Sequence, residues 1–277
     1  MEHEEVGNLK IALHYETTGR IGKQGEKLLT NAKPDIQYMC ENYFDHPNYY
    51  KIDGRPVLFI YVSRLLETIG VLDEALLTMR STASKCGHNL YLIGDAVFDS
   101  APDPNEPHVP FWYFDAVTNY DVYGAQGRPE GHAGTDAVDK YYDNQAEWKA
   151  QALEEDCRYI PAVSPGYNDR GVRMERDHPP LSRRITSSSK EGSLFNYQLK
   201  QAKELVDSEV DKMILVNSFN EWHEDTQIEP VVGEPAIEPF NFTKGLEYVG
   251  YGELYLDILG AATSKDATQH EIYDYLF

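Results

Sequence analysis

The stretch NSFNEWHEDTQIEP, residues 217–230, combines carboxyl groups with an indole and an imidazole. Its acidic residues fall within nine positions, and they are Glu221, Glu224, Asp225 and Glu229. Trp222 and His223 separate the first two acids. Two carboxyl groups at short range can hydrolyse a glycosidic bond, because one can donate a proton while the other stays ionised. The most suggestive chemistry of the sequence therefore lies in this segment.

The spacing of Glu221 and Glu224 sets a geometric condition on that chemistry. In a straight strand, side chains three positions apart point to opposite faces of the sheet. If the strand instead ends at Glu221 and the chain curls into a turn, the two side chains lie on one side, about 5–6 Å apart at Cβ. The carboxyl groups of retaining glycosidases are typically about 5–5.5 Å apart. We therefore expect a turn here, with Trp222 and His223 as the wall and rim of a sugar subsite.

Other interpretations of the segment stay open at this point. Two glutamates three positions apart are most often part of an acidic loop that follows a strand. Carboxylates can hold a hard cation, but the sequence has neither an EF-hand pattern nor HExxH, so we predict no metal site. The segment GRIGKQGEK, residues 19–27, lacks both phosphate-loop patterns, so we predict no cofactor there. A Ser/His/Asp triad stays open, although no G-x-S-x-G elbow is present.

The charge balance narrows the class of partner. The 277 residues include 25 Lys and Arg against 46 Asp and Glu, a net charge of −21. A field of that sign repels nucleic acid and anionic membranes, so we expect neither as a partner. It is compatible with a neutral substrate, and equally with adaptation to high salt. The 20 tyrosines suit sugar-binding clefts as well as ordinary half-buried surfaces. The sequence does not predict an oligomeric state.

The cysteines and the apolar segments carry little information about location. Cys40, Cys86 and Cys157 lie far apart, without zinc spacing or a disulfide framework. No run of 18 apolar residues predicts a membrane span. The acidic start MEHEEVGNLK is not a secretory signal. As written the sequence favours the cytoplasm, and secretion stays open if the chain is an N-terminally truncated product.

Short apolar runs alternate with helical patterns along the chain. We predict strands at 9–16, 55–62, 89–96, 114–122, 159–166 and 212–221. We predict helices at 33–44, 65–86, 134–156, 188–206 and 244–262, the fourth with a capping box at Ser188 and Glu191. This alternation indicates an α/β fold with a parallel sheet and crossover helices. We expect one domain over residues 1–262 and a tail over 263–277.

Polar and aromatic side chains stand at the carboxyl end of each predicted strand. In a closed β/α barrel the loops at these ends form the active-site face. The candidates, besides Glu221 and Glu224, are His14, Tyr15, Glu16, Tyr61, Asp95, Asn119, Tyr120, Tyr167 and Asp169. Because all six strands end in such groups, we expect a concave polar site at this edge.

The segment SFNEWHEDTQIEP closely resembles the signature of glycoside hydrolase family 99, the endo-α-mannosidase family, and of the broader family 99-like group. Four further segments resemble the family in the same order: HYETTGR (14–20), DHPNYYKIDGRPVLFIYVSR (45–64), FDAVTNYDVYG (114–124) and IPAVSPGYNDR (160–170). The resemblance covers roughly residues 9–260. The glutamate motif and the 45–64 segment are specific, whereas the others are weak singly.

The resemblance implies a (β/α)8 TIM-type barrel and a metal-independent, retaining, endo-acting α-mannosidase. It implies that Glu221 acts as base on the 2-hydroxyl group of the sugar, so that a 1,2-anhydro sugar forms, and that Glu224 is the general acid and then the general base. Asn220 would orient the sugar or the base. The remaining residues that it places in the sugar subsites are Glu16, Tyr120 and Tyr167.

Two departures from the family pattern qualify these expectations. Asp225 stands where the family usually has glycine, which adds a charge and alters a turn that favours glycine. We also count six strands, because the first two barrel strands should precede Leu9 and only eight residues stand there. The barrel is therefore expected to be incomplete, through truncation, with another chain or an open barrel as alternatives. A catalytically impaired carbohydrate-binding barrel and a glycan-processing protein of a polysaccharide-assembly system are the alternative functions.

Overall fold

The structure is a computed structural model that describes residues 7–17, 19, 25–105, 109–123, 131–232, 246 and 248–264. The strands in these ranges are β1 (Leu13–Tyr15), β2 (Lys51–Ile52), β3 (Arg55–Ile60), β4 (Tyr91–Asp95), β5 (Ala116–Thr118), β6 (Arg158–Tyr159), β7 (Ala162–Val163) and β8 (Leu215–Val216). The α-helices are α1 (Glu26–Met39), α2 (Ser63–Thr68), α3 (Leu72–Lys85), α4 (Gly134–Glu154), α5 (Ser193–Lys203) and α6 (Leu254–Thr263).

Apart from β2, which pairs antiparallel with β3, the strands are parallel and follow each other in chain order. Strands β1, β3, β4, β5 and β6 lie side by side, and β7 pairs with β8. Only Ile160 and Pro161 separate β6 from β7, and their backbone continues the pairing: Ile160 N donates to Val117 O, and Leu215 N donates to Pro161 O. Sequential order is that of a β/α barrel wall, whereas a doubly wound sheet reverses its order. The α/β prediction is confirmed.

The strands bury both faces, which explains their continuous apolar sequences. In β3, Leu58 and Ile60 belong to the cluster packed against α1 and α3. Val57, on the alternate face, belongs to an inner cluster with Ile93 of β4. A third cluster joins α4, α5 and α6 to β7 and β8. The carboxyl ends of the strands therefore reach one edge from a wall that is packed on both sides.

Several predicted boundaries shift for identifiable reasons. The strands are shorter than their apolar runs, and the predicted helix 65–86 is two helices, because Gly70 at φ 71° adopts a left-handed conformation between α2 and α3. The helix predicted at 33–44 begins earlier, at Glu26, and its end, Cys40–Phe44, is a π-helical turn. Asp53 and Gly54, with φ 49° and 76°, close an unpredicted hairpin between β2 and β3.

The predicted capping box is wrong. Helix α5 begins at Ser193 after Gly192, not at Ser188. The carboxylate of Glu191 instead accepts a hydrogen bond from Tyr255 Oη at 2.7 Å. A partner in α6, distant in sequence, therefore satisfies the group that local spacing assigned to a cap.

The C-terminal predictions are only partly within the described residues. Helix α6 begins at Leu254, and the start of the predicted helix 244–262 lies largely outside the described residues. Of the predicted tail, residues 265–277 also lie outside them. The domain boundary at residue 262 and the predicted lack of two strands stay predictions. Across the described ranges, no helix is long and apolar enough to cross a membrane.

Leu58→Ala tests whether β3 is the packed centre of this wall. Leu58 has no exposed surface and lies between β1 and β4, so we expect the free energy of unfolding to fall by about 2–5 kcal/mol. The matched control is Leu77→Ala in α3, whose side chain is 59% exposed and should change stability by less than about 0.5 kcal/mol. Urea unfolding gives both values, and equal effects in the two variants would contradict the packing described.

Candidate active site

The chain turns sharply directly after β8. Residues Trp222–Glu224 form one turn of 3₁₀-helix, and Glu221 caps it, since its Oε1 accepts from the backbone N–H of His223 at 3.1 Å. A 3₁₀-helix has about three residues per turn, so side chains three positions apart lie on the same side. The backbone N–H of Glu221 donates to Ser218 Oγ at 2.8 Å, which fixes the start of the turn. The turn expected from the spacing of Glu221 and Glu224 is present.

The two glutamates have different surroundings. The side chain of Glu224 is 16% exposed, and its Oε1 accepts from Arg173 Nη1 at 2.8 Å. The side chain of Glu221 is 42% exposed and lies 3.3 Å from His223 Nδ1. One carboxyl group is therefore held inside a charged network, while the other is open to solvent. Unequal environments are what acid–base chemistry by two carboxyl groups requires.

Arg173 belongs to a network built on Asp169, whose side chain has no exposed surface. Asp169 Oδ2 accepts from Arg173 Nη1 at 2.8 Å and lies 2.7 Å from His178 Nδ1. Burial alone would raise the pKa of Asp169, but hydrogen bonds from Arg173, Tyr167 and His178 outweigh it and lower that pKa. Asp169 is therefore an ionised anchor beneath the Arg173–Glu224 contact.

Aromatic rings form a wall beside the glutamates. The ring of Tyr120 stacks on His14 with centroids 5.9 Å apart and meets Tyr61 edge to face at 5.0 Å. Burial raises the pKa of Tyr120, and Tyr61, Glu224 and Glu221 raise it further. The Tyr120 phenol is thus within electrostatic range of both carboxyl groups.

The outer part of this wall involves Glu16 and a second ring pair. Burial raises the pKa of Tyr61 to about 12, with smaller contributions from acidic neighbours that include Glu16 and Glu224. Desolvation lowers the pKa of His14, and the charge of Glu16 opposes that shift. Tyr123 and Tyr167 stack in parallel with centroids 3.7 Å apart. Tyr167 Oη also lies 3.4 Å from Arg173 Nη1, so this pair joins the wall to the charged network.

Asp95, at the end of β4, holds the loops that carry these rings. Its Oδ1 accepts from Tyr120 N at 3.0 Å, and its Oδ2 accepts from Val62 N at 3.1 Å. Arg64 Nη2 lies 3.4 Å from the same Oδ2. Burial raises the pKa of Asp95, and Arg64 opposes the shift. One buried carboxyl group therefore connects the loops that follow β3 and β5.

Two cavities adjoin the site. One of about 310 Å³ lies inside the sheet, and its polar lining includes His14, Asp95, Asn119, Tyr120 and Asn217. Another of about 460 Å³ lies between the loops after β3, β4 and β5, and its lining includes Arg64, Leu65, Phe98, Asp121 and Tyr123. Tyr120 lines the first cavity and Tyr123 lines the second, whereas neither lining includes Glu221 or Glu224.

Asp225 occupies a left-handed position, with φ 53°, directly after the 3₁₀ turn. Arg183, only 6% exposed, donates from Nη2 to Asp225 Oδ1 at 3.1 Å and to its backbone oxygen at 3.0 Å. The guanidinium also packs over the rings of Tyr251 and Tyr255, 5.0 and 4.9 Å from their centroids. The charge that departs from the family pattern is therefore balanced by a buried arginine.

The predicted site residues differ in how closely they meet. Arg173 joins Glu224 to Tyr167, and Tyr120 lies within electrostatic range of Glu224 and Glu221. Trp222 and His223 are 56% and 77% exposed, the indole N–H of Trp222 donates to Glu229 Oε2 at 3.0 Å, and Asn220 and Glu16 are exposed. The roles of all eight residues in binding or catalysis stay predictions. Among the described residues, no group of three or more His, Cys, Asp or Glu side chains is arranged to hold a metal ion.

The sequence interpretation missed Arg173, Arg183 and Tyr123. The contacts of the two arginines with the turn span 51 and 42 positions, so no local pattern shows them. One signal was available: Arg173 stands four residues after Asp169, the spacing of an ion pair on one turn of chain.

Comparison with known proteins identifies similar sequences and structures. The model of the family described as "Glycosyl hydrolase family 99" matches residues 1–266. The "Glycoprotein endo-alpha-1,2-mannosidase" of Rattus norvegicus is 25% identical over 274 residues, 96% of this chain and 52% of the relative. The Mus musculus protein of that name is 26% identical over 233 residues, 81% of this chain and 43% of the relative. The chain thus spans about half the length of the curated relatives it matches.

The solved structures show a similar fold. A GH99 endo-alpha-mannosidase from Bacteroides thetaiotaomicron, solved with bis-tris-propane, is 23% identical with a TM-score of 0.59, over 96% of this chain and 70% of the other. A protein titled "Glycoside hydrolase-like protein" is 22% identical with a TM-score of 0.59, over 86% of this chain and 61% of the other.

Asp225→Gly tests whether the buried arginine holds the turn. Glycine would relieve a left-handed backbone by about 1 kcal/mol, but breaking a buried ion pair costs about 3–5 kcal/mol. We expect a net destabilisation of about 2 kcal/mol in urea unfolding, because the unpaired Arg183 outweighs the relieved backbone. Asp225→Asn, which keeps an acceptor oxygen, should lose less. An Asp225→Gly variant more stable than the wild type would show that the ion pair is dispensable.

Proposed function

The chain belongs to glycosyl hydrolase family 99, and from this premise we propose that it is a glycosidase that cleaves α-mannoside bonds in oligosaccharides or polysaccharides. The observation that carries the proposal is the turn after β8, which carries Glu221 and Glu224 three positions apart, with the Tyr120 phenol within electrostatic range of both carboxyl groups. The relatives named as endo-alpha-1,2-mannosidases support the choice of a mannoside.

We assign the proton transfers to the two glutamates. Glu221 removes the proton of the sugar 2-hydroxyl group, O2 attacks C1, and the bond from C1 to the glycosidic oxygen breaks. Glu224 gives its proton to that oxygen, so the leaving group departs neutral and a 1,2-anhydro sugar remains. Glu224 then takes a proton from water as the water attacks C1, and Glu221 returns its proton to O2. Two displacements at C1 retain the anomeric configuration.

The different surroundings of the carboxyl groups suit these roles. The side chain of Glu221 is 42% exposed, so its carboxyl group is open to solvent and accessible to a sugar hydroxyl group. Glu224 is shielded and held by Arg173, as a group that changes role between the two steps must be held in place. Tyr120 and Tyr61 offer ring faces and phenol groups to a sugar, which has both apolar and hydroxyl-bearing sides.

Glutamine at either position tests the assignment. Removing a general acid or base costs about 10²–10⁴-fold in rate. Glu224→Gln should lose this much in kcat/KM for an alkyl α-mannoside, yet keep kcat/KM for α-mannosyl fluoride, because fluoride leaves without a proton donor and the later attack of water does not enter kcat/KM. Glu221→Gln should lose activity on both substrates, since the internal nucleophile is then not activated. Initial rates of sugar release give these values.

The control for this experiment is Glu74→Gln, an exposed glutamate in α3 on the outer side of the wall. It should match the wild type on both substrates. Full activity of Glu224→Gln on the alkyl mannoside would remove Glu224 from the mechanism. If the wild type binds a mannose oligosaccharide in calorimetry but releases no product, the chain is a carbohydrate-binding barrel and the hydrolase proposal fails.

The second cavity is suited to sugar units beyond the cleaved bond. It holds about 460 Å³ and begins at Tyr123, which stacks on Tyr167 of the charged network. Within it the Phe98 ring is 41% exposed, and the Arg64 guanidinium lies 4.9 Å from its centroid. An exposed ring beside a polar ion pair is a suitable surface for a pyranose unit. We therefore propose that the substrate is longer than a disaccharide.

Phe98→Ala tests this extension. Loss of one stacking face is worth about 0.5–1.5 kcal/mol, so KM for a mannose tetrasaccharide should rise about 3- to 10-fold. KM for an aryl mannoside, which cannot reach the cavity, should stay unchanged. Trp112→Ala is the control, because Trp112 is 67% exposed but lines neither cavity. Equal effects of Phe98→Ala on both substrates would contradict an extended subsite.

A further inference from the structure

We infer that Arg173 is a positioning residue that fixes the carboxyl group of Glu224 and thereby selects which of its two oxygens transfers the proton. The inference rests on the proposed function, since it concerns the acid step of that reaction. It is carried by a chain of contacts through four side chains, Glu224, Arg173, Asp169 and His178.

Arg173 contacts two carboxyl groups at once. Arg173 Nη1 donates to Glu224 Oε1 at 2.8 Å and to Asp169 Oδ2 at 2.8 Å. Both contacts come from the same nitrogen of a planar group that presents its donors in a rigid fork, so the direction of the N–H that Glu224 accepts is set by the contact with Asp169. Glu224 is thus held by a group that is itself bound to a second carboxylate.

Asp169 is also held by contacts that do not involve Arg173. It is fully buried, and it also interacts with His178 at 2.7 Å and with Tyr167. Tyr167 in turn stacks on Tyr123, whose ring lies against the wall of the cleft. Because Asp169 has these other partners, it stays hydrogen-bonded when Arg173 is replaced, and Arg173 itself is 39% exposed. Substitution at Arg173 should therefore leave the fold intact.

The contact with Arg173 distinguishes the two carboxyl oxygens of Glu224. Arg173 donates to Oε1, and a cationic donor at that oxygen disfavours a proton on it, so the acid proton is better placed on Oε2. A carboxyl group that donates a proton from Oε2 while Oε1 accepts from arginine satisfies both interactions. The geometry therefore assigns the proton transfer to Oε2. The backbone oxygen of Glu224 accepts from Asn168 N at 2.7 Å, which ties the same residue to the Asn168–Arg173 segment at a second point.

This role predicts a dependence on the leaving group. Arg173→Met removes the fork, so Glu224 is no longer aimed at the glycosidic oxygen, and misplacement of a catalytic group costs about 10²-fold. We expect kcat/KM for an alkyl α-mannoside to fall by about that factor. For α-mannosyl fluoride, whose leaving group needs no proton donor, kcat/KM should change by less than about 3-fold, a small effect on the scale of a misplaced group. Arg173→Lys, which keeps the charge without the fork, should fall between Arg173→Met and the wild type.

The matched control is Arg176→Met, which removes the same charge from an exposed position three residues further along. It should leave both substrates unaffected. Equal losses on the two substrates in Arg173→Met would show a merely structural role and overturn the inference. If Arg173→Met does not fold in urea unfolding, Arg173→Lys decides by the same comparison of substrates. If the wild type hydrolyses neither substrate, the proposed function fails and the inference falls with it, whereas activity of the wild type with equal losses in the variant overturns the inference alone.

Discussion

The site depends on one constraint, the tight turn that begins where β8 ends. Without it, residues 221 and 224 would point to opposite faces of a strand, and neither acid chemistry nor sugar binding could be shared between them. The turn is held from both ends: Ser218 and Thr226 share hydroxyl and backbone hydrogen bonds of 2.9 Å, and Arg183 binds Asp225. Asp225 thus adopts a backbone conformation that favours glycine, and its ion pair with the buried Arg183 stabilises the turn. The same ion pair balances the charge of the Asp225 side chain.

The rest of the cleft is organised by charge pairs of the same kind in an otherwise acidic protein. Asp95 joins the loops after β3 and β5 through backbone N–H groups and Arg64, and Asp169 does the same for Arg173 and His178. Because the net charge is −21, carboxylates that lie close together repel each other, and the arginines at these positions offset that repulsion. The parallel strands bring these charge pairs together, because the strands end at one edge and each loop starts from a packed strand.

Sequence reasoning succeeded where the physics is local or where burial is continuous. The apolar runs of β3 and β4 predicted strands because both faces of these strands are buried, and E-x-x-E after β8 predicted the turn. It failed where a contact crosses the fold. Glu191 is satisfied by Tyr255 and not by a cap, and Gly70 divides a helix whose apolar pattern is unbroken. Arg173 and Arg183 reach the turn from more than forty positions away, and no spacing reveals such pairs.

The proposed mechanism requires the two glutamates on this turn to transfer protons to and from the same sugar unit. Glu221 acting on the 2-hydroxyl group and Glu224 acting on the glycosidic oxygen give two successive displacements at C1, so this mechanism retains the anomeric configuration. Proton NMR of the first-formed product from an α-mannoside tests this directly, before the product mutarotates. We expect the first-formed product to be the α-anomer. Initial release of the β-anomer would contradict it, because a single displacement at C1 by water inverts the configuration.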